Sequence, residues 1–147
     1  QADLLAEKVT QLDIPVTKII HSPLQRAKRT AQAVADRLEL SMEEDDRLIE
    51  MDFGKYDGVP SKDAAFQEAR QEFAVRFPNG ESVLDVYARV VPLLKECLED
   101  EENVYLLVCH NALMRVINAY FNPMPNHTFF DFYVDNTELV TFEKTID

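Results

Sequence analysis

Apolar residues follow two spacings along this chain, and these predict strands and helices in alternation. Residues 16–20 and 103–109 are short apolar runs, typical of strands that are covered on both faces. Helical spacing of apolar side chains recurs over residues 1–13, 23–39, 61–76, 81–99 and 112–121. The alternation predicts an α/β sandwich with a largely parallel central sheet.

Between these elements the sequence predicts loops and, near its end, two further strands. Residues 47–58 contain two of the chain's three glycines and are predicted to form an irregular loop. A loop rich in Pro and Asn is expected at 122–128. Residues 129–134 and 137–143 are predicted to be closing strands. Residues 1–147 are expected to form a single domain.

Charge and composition narrow the classes of partner. The net charge of -12, from 27 acidic and 15 basic residues, argues against a nucleic-acid partner. Because no apolar run is long enough to span a membrane and no signal peptide opens the chain, no membrane partner is predicted and a cytoplasmic location is the default. The His and Cys residues do not cluster at metal-ligand spacing, so no metal and no other cofactor is predicted.

The stretch after the first predicted strand has the features of an anion site. Ser22 at the N-cap, Pro23 at the first helical position and Gln25 three residues after the cap predict a helix start with a capping box. Arg26 would lie in the first turn, where backbone N–H groups, the helix dipole and a guanidinium together favour phosphate. The alternative is that Ser22 and Pro23 only cap a helix and that Arg26 is a surface residue.

A second polar signal, His110-Asn111, follows the other buried strand. Ligands bind at the carboxyl ends of strands in open α/β sheets, so the two signals are predicted to meet in one pocket. A histidine there can hydrogen-bond a phosphoryl oxygen and, when protonated, offset its charge. Glu50, in the glycine-containing loop, is a candidate general acid for the leaving oxygen. The alternatives are a structural histidine and an ordinary solvated carboxylate.

Four short motifs occur in order along the chain. They are HSPLQRAKRT at 21–30, LIEMDFGKYDG at 48–58, NGES at 79–82 with Arg89, and VCHN at 108–111 with Arg115. Together they resemble the histidine phosphatase superfamily, also called phosphoglycerate mutase-like proteins. The resemblance covers about residues 20–116 and implies a three-layer α/β/α sandwich of the phosphoglycerate mutase-like type.

The resemblance also implies roles for particular residues in phosphoryl transfer through a phosphohistidine. Arg26 would clamp the phosphate of a small phosphorylated metabolite, with Ser22 and Asn111 as further phosphate-binding residues. Glu50 would be the proton donor to the leaving group. His110 would be the second histidine, which stabilises the transferred phosphoryl group.

One motif of the family has no counterpart in this sequence. The family's nucleophilic histidine lies in an Arg-His-Gly motif at the end of its first strand, and no Arg-His-Gly occurs here. Gln1-Ala2 resembles a family segment that normally lies a few dozen residues into the chain. We therefore expect the first strand, with the nucleophile, to lie upstream of Gln1.

These features leave three functions open. The leading hypothesis is a histidine-type phosphatase that hydrolyses a small phosphomonoester, if the Arg-His-Gly segment exists upstream. The short span from Gly58 to Phe77 favours it over a phosphoglycerate mutase, since the resemblance implies a larger insertion there in mutases. A non-catalytic phosphate-binding or interaction relative is the third hypothesis, because the sequence as written holds no such nucleophile. The oligomeric state is open, with a homodimer as one alternative.

Overall fold

The computed structural model describes residues 1–135 and 138–143 of the chain. The helices are α1 (Ala2–Thr10), α2 (Gln25–Leu38), α3 (Ala64–Arg70), α4 (Val83–Glu99), α5 (Asn111–Phe121) and α6 (Asn126–Phe129). The strands are β1 (Lys18–His21), β2 (Met42–Glu44) and β3 (Tyr105–Val108). Single 3-10 turns form at Asp46–Leu48 and Gly54–Tyr56, within the predicted irregular loop. No helix of the described residues is long and apolar enough to cross a membrane.

The three strands form a parallel sheet in the order β2-β1-β3. β1 is central, and its Ile19 lies opposite Met42 of β2 and Leu106 of β3. Both Ile19 and its neighbour Ile20 are buried, because the two faces of the central strand are each covered by helices. β2 comes from a stretch for which the sequence pattern predicted no element.

Two apolar cores cover the opposite faces of the sheet. Ile19 shares one core with Val9 of α1 and Val34 of α2. Ile20 points to the other face and shares a larger core with Val90 of α4 and Leu113 of α5. Two helical layers therefore enclose one parallel sheet, and the predicted three-layer α/β/α sandwich is confirmed.

The predicted capping box at the start of α2 is wrong. The helix begins at Gln25, and its N-cap is Leu24, which provides no side-chain cap. The Ser22 hydroxyl accepts a hydrogen bond from Leu24 N at 3.2 Å and bonds to His110 instead of reaching into the helix. The helix therefore starts two residues later than predicted, although Arg26 still lies in its first turn.

The predicted closing strands are not found in the described residues. Residues 130–134 and 138–143 form no strand, whereas Thr137 lies outside the described part of the chain. Side chains of α5 form hydrogen bonds with backbone groups that would otherwise pair with a neighbouring strand. Arg115 Nε donates to Phe132 O at 2.9 Å, and the Asn111 side chain bonds to both backbone groups of Val134.

Close backbone contact holds the loop after residue 50 against the turn before α4. Glu81 N donates to Asp52 O at 2.8 Å, and Lys55 N donates to Pro78 O at 2.9 Å. A Cβ atom on Gly80 would lie 2.5 Å from Asp52 O, closer than any real Cβ contact. The two segments can approach in this way only because residue 80 has no side chain.

We expect Gly80→Ala to lower the free energy of unfolding by about 3 kcal/mol, because the new methyl group would force two backbone segments apart. Gly58→Ala is the matched control. Gly58 has φ +80°, but a Cβ there meets nothing within 4 Å. It should cost only the left-handed backbone strain of about 1–2 kcal/mol. Urea unfolding of both variants checks this, and equal losses would contradict it.

Candidate active site

The site begins where β1 and β3 end side by side. His21 lies opposite Val108 in the parallel register, and Ser22 N donates to Val108 O at 2.9 Å. One residue beyond His21 and two residues beyond Val108, a 2.8 Å hydrogen bond joins Ser22 Oγ to His110 Nε2. Ser22 is 0% exposed and His110 6% exposed. The two polar stretches therefore meet, as the sequence predicts.

His110 is the N-cap of α5, and its imidazole is uncharged at neutral pH. Burial, with a contribution from the nearby Arg26 guanidinium, lowers the pKa of His110 to about 4. An uncharged imidazole can hydrogen-bond a phosphoryl oxygen. At neutral pH it would become positively charged if an anion bound beside it and raised its pKa.

The thiol next to His110 does not provide a nucleophile. Burial raises the pKa of Cys109 to about 12, so its sulfur stays protonated at neutral pH. Its Sγ–H donates to Met114 Sδ at 3.6 Å, within the protein. Cys109 is half-buried and packs against the larger apolar core.

Arg26 brings a positive charge to the site from the first turn of α2. Its side chain is exposed, and its charge acts on two groups that belong to other elements, His110 and Glu50. Because the strand-to-helix turn also directs the positive end of a 14-residue helix toward the same edge of the sheet, this edge favours an anion.

Glu50 lies against the N-terminus of α5, and its carboxyl group is half-buried. Burial raises the pKa of Glu50 above its usual value, against the backbone N–H groups of Met51 and Ala112 and the charges of Arg115 and Arg26. Met51 N donates to Glu50 Oε1 at 2.9 Å. A carboxyl group with a raised pKa beside a cationic pocket can hold a proton and pass it to a leaving oxygen.

Asn111 uses its side chain within the protein. Its Nδ2 donates to Val134 O at 3.1 Å, and its Oδ1 accepts from Val134 N at 2.9 Å. The amide thereby fixes the segment after α6 against the start of α5. The phosphate-binding role expected for Asn111 stays a prediction, as do the roles expected for the other site residues.

The loop that carries Glu50 is held by an ion pair from α4. Arg89 donates to both carboxylate oxygens of Glu81, at 2.9 and 3.0 Å, and to Arg47 O at 2.7 Å. Glu81 Oε1 in turn accepts from Asp52 N at 2.9 Å. Burial opposes ionisation of Glu81, but Arg89 and the Asp52 N–H outweigh it and hold the pKa of this carboxyl below its usual range. One ion pair therefore fixes the backbone on both sides of Glu50.

A cavity of about 300 Å³ adjoins Glu50, and two arginines that the site prediction did not include form part of its wall. Met51 and Ala112, whose N–H groups act on the Glu50 carboxyl, line this cavity together with Arg70 and Arg115. Arg115 could have been inferred from its place in the motif after His110. Arg70 has no sequence signal, since it belongs to an ordinary polar helix. Among the described residues, no group of three or more His, Cys, Asp or Glu could hold a metal ion.

Fold and site together define an α/β protein with a cationic pocket at the carboxyl ends of adjacent parallel strands. The chain belongs to the histidine phosphatase superfamily, branch 1, whose sequence profile matches residues 1–145. The family resemblance of the four motifs is thereby confirmed.

Named relatives and solved structures agree with this membership. Phosphoserine phosphatase 1 of Hydrogenobacter thermophilus is 30% identical over 145 residues, which are 92% of this chain and 67% of that protein. The 6-phosphofructo-2-kinase/fructose-2,6-bisphosphatase of Gallus gallus is 34% identical over 128 residues, 82% of this chain and 26% of that protein. The structure of a mycobacterial glucosyl-3-phosphoglycerate phosphatase superposes with a TM-score of 0.70 at 26% identity. That match covers 87% of this chain and 66% of the other. The chain therefore spans about two thirds of the two phosphatases and about a quarter of the bifunctional protein.

We expect Arg89→Lys to lower the free energy of unfolding by about 1–3 kcal/mol, because an ammonium group cannot make the two-pronged contact with Glu81 and also reach Arg47 O. The matched control is Arg76→Lys. Arg76 pairs with Asp85, but its side chain is 72% exposed, so solvent screens the pair and Arg76→Lys should lower the free energy of unfolding less than Arg89→Lys does. Chemical unfolding of both variants compares the two ion pairs, and an Arg89→Lys loss no larger than the control would contradict the clamp.

The lowered pKa of His110 predicts a pH-dependent contribution to stability. Since the folded-state pKa of about 4 lies below the unfolded value of about 6.5, folding stability falls as pH drops from neutral toward 4. His110→Gln removes this contribution. The free energy of unfolding of the variant, relative to that of wild type, should therefore increase as the pH is lowered from about 7 to 5. Unfolding free energies at a series of pH values measure the difference, with His127→Gln, at an exposed histidine, as control. A difference for His110→Gln that does not change with pH would be evidence against a buried neutral imidazole.

Proposed function

We propose that this protein is a phosphomonoesterase that hydrolyses a small phosphorylated metabolite through a phosphohistidine. One observation carries the proposal: Arg26, His110 and Glu50 come from three separate elements, yet the charge of Arg26 acts on both of the others. Two of the similar proteins are by name phosphatases of small metabolites, phosphoserine and glucosyl-3-phosphoglycerate. These names support the reaction class, whereas the substrate of this chain follows from neither.

In the proposed complex, the phosphate group lies at the joined ends of β1 and β3. Arg26 and the N-terminus of α2 bind its oxygens, and His110 hydrogen-bonds a further oxygen. The bound dianion raises the pKa of His110, which then donates to the phosphoryl group as charge develops on it. Ser22 holds the imidazole in place through its 2.8 Å hydrogen bond.

The proposed reaction has two steps that share one carboxyl group. In the first, a histidine nitrogen forms a bond to phosphorus while the ester P–O bond breaks. The departing oxygen takes the proton from Glu50. In the second, water attacks the phosphohistidine, Glu50 takes the water proton, the N–P bond breaks and inorganic phosphate leaves. The accepting histidine is the one expected in an Arg-His-Gly segment, which the 147 residues do not contain, so the proposal requires that segment from the full-length protein.

The sequence also gives ground for a second candidate, a phosphate-binding relative without turnover. The observation that favours this candidate is that no Arg-His-Gly occurs among these residues. Arg26 and His110 would then bind phosphate without an acceptor for it. A cytoplasmic location and a homodimer stay predictions for either candidate.

The first experiment is the intact mass of the native protein together with the coding sequence before Gln1. An Arg-His-Gly segment there, followed by phosphate release from p-nitrophenyl phosphate, would support the phosphatase. If neither is found, the non-catalytic candidate stands. Movement of phosphate between positions of a glycerate, without release, would indicate the mutase.

In the full-length protein we expect Glu50→Gln to lower kcat about 100- to 10,000-fold on an alkyl phosphate, because the leaving alkoxide needs a proton. The loss should be much smaller on p-nitrophenyl phosphate, whose leaving group departs without one. His110→Ala should lower kcat on both substrates, since it acts on the phosphoryl group itself.

Exposed residues provide the matched controls for these two variants. Glu7→Gln and His127→Ala, at exposed positions outside the pocket, should leave both rates unchanged. Equal losses of Glu50→Gln on the two substrates would overturn the proton-donor role. Full activity of His110→Ala would overturn the site as a whole.

A further inference from the structure

Positive charge is concentrated in one segment of this acidic chain. Residues 14–35 contain four basic residues and no acidic residue, so all 27 acidic residues lie outside this segment. Three of the four basic residues, Arg26, Lys28 and Arg29, belong to the first two turns of α2 and are exposed. The surface beside the pocket is therefore locally positive, although the net charge of the chain is -12.

The fold provides no acidic partner for these three cations. Among the described residues, none of the three forms an ion pair with a carboxylate. Positive charge in the first turn of a helix opposes the helix dipole, and like charges at neighbouring positions of a helix repel each other. Because this placement lowers the stability of α2 and brings no ion pair, an anion outside the chain is the partner that accounts for it.

Arg29 projects from the side of α2 that faces away from the core. The buried residues of this helix are Ala27, Ala31, Val34 and Ala35. At 3.6 residues per turn, Arg29 lies on the opposite side of the helix from the middle of this set. Arg29 is also three residues from Arg26, so the two arginines are neighbours on the helix surface.

The two arginines differ in their distance from the pocket. Burial, and next the charge of Arg26, lowers the pKa of His110, whereas the charge of Arg29 has no such effect. Arg29 lies about 5 Å further along the helix axis than Arg26. In 0.1 M salt, exposed charges act on each other over about 10 Å. Arg29 is therefore too far away to contact the site but near enough to attract an anion that approaches Arg26.

We propose that Arg29 attracts phosphorylated substrates to the pocket through long-range electrostatics and does not contact the bound phosphate. It thereby raises the rate constant of association for dianionic phosphate esters. Arg26, at the end of this positive surface, then holds the anion at the strand ends. The proposal rests on the proposed phosphatase function, because it requires the phosphate of the substrate to bind at Arg26 and His110.

The test measures association of the full-length protein with a fluorescent coumarin-methylphosphonate, a dianion that binds without being hydrolysed. Stopped-flow fluorescence gives its association and dissociation rate constants separately. Arg29→Gln should lower the association rate constant about 2- to 5-fold in 0.1 M salt and leave the dissociation rate constant unchanged. The difference from wild type should disappear in 1 M salt, where exposed charges are screened beyond about 3 Å.

Two further variants separate charge from structure. Arg37→Gln is the matched control, because Arg37 is exposed on the same helix but lies beside Asp36 and about 16 Å along the axis from Arg26. It should leave the association rate constant unchanged in 0.1 M salt. Gln25→Lys, at the exposed first residue of α2, places a positive charge next to Arg26. Combined with Arg29→Gln, it should restore the association rate constant of wild type.

Each outcome decides for or against the long-range role of Arg29, and thermal unfolding establishes that each variant is folded. The proposal is overturned if Arg29→Gln has no effect, if it has the same effect as Arg37→Gln, or if it changes only the dissociation rate constant. A loss that persists in 1 M salt would also overturn it and would assign Arg29 to direct contact with the phosphate. If wild type does not bind the probe, the proposed site fails as well. If association behaves as expected but no phosphomonoester is hydrolysed, the proposed function alone is overturned.

Discussion

The parallel pairing of β1 with β3 is the constraint on which the rest of the site depends. The register places His21 opposite Val108, so β1 and β3 end at the same edge of the sheet and Ser22 meets His110. A shift of one residue would turn Ile19 and Ile20 toward the wrong cores, which makes the register costly to change. The position of His110 is therefore fixed by apolar packing on the two faces of the sheet.

Glu50 is held in a different way, because it follows a 3-10 turn and belongs to no strand. The ion pair of Arg89 with Glu81 and the close approach of Gly80 to Asp52 fix the backbone around it. These contacts hold a carboxyl group in a half-buried position, where burial raises its pKa. The stability of the loop thus comes from residues outside the pocket, and it offsets the cost of holding the Glu50 carboxyl group partly out of water.

Local sequence signals predicted an element well where its own pattern of apolar residues decides its structure. The two buried strands and the helix that carries Arg26 in its first turn are of this kind. Ser22 is different, because its hydroxyl bonds to a histidine 88 residues away and so provides no cap for α2. Likewise, contacts from Asn111 and Arg115 replace the strand expected near residue 132. Arg70 could not have been found, since only tertiary packing shows that its Nε is buried without a partner.

The charges of the pocket support the proposed binding of a phosphate dianion, although the chain as a whole is acidic. Burial disfavours charge on both titrating groups, so it lowers the pKa of His110 and raises that of Glu50. A bound dianion would act on both in one direction and raise each pKa. In the proposed reaction it would favour the protonated form of His110, which is to offset charge on the phosphoryl group, and of Glu50, which is to donate a proton. The same ligand would thus prepare both groups, and burial keeps His110 uncharged until it arrives.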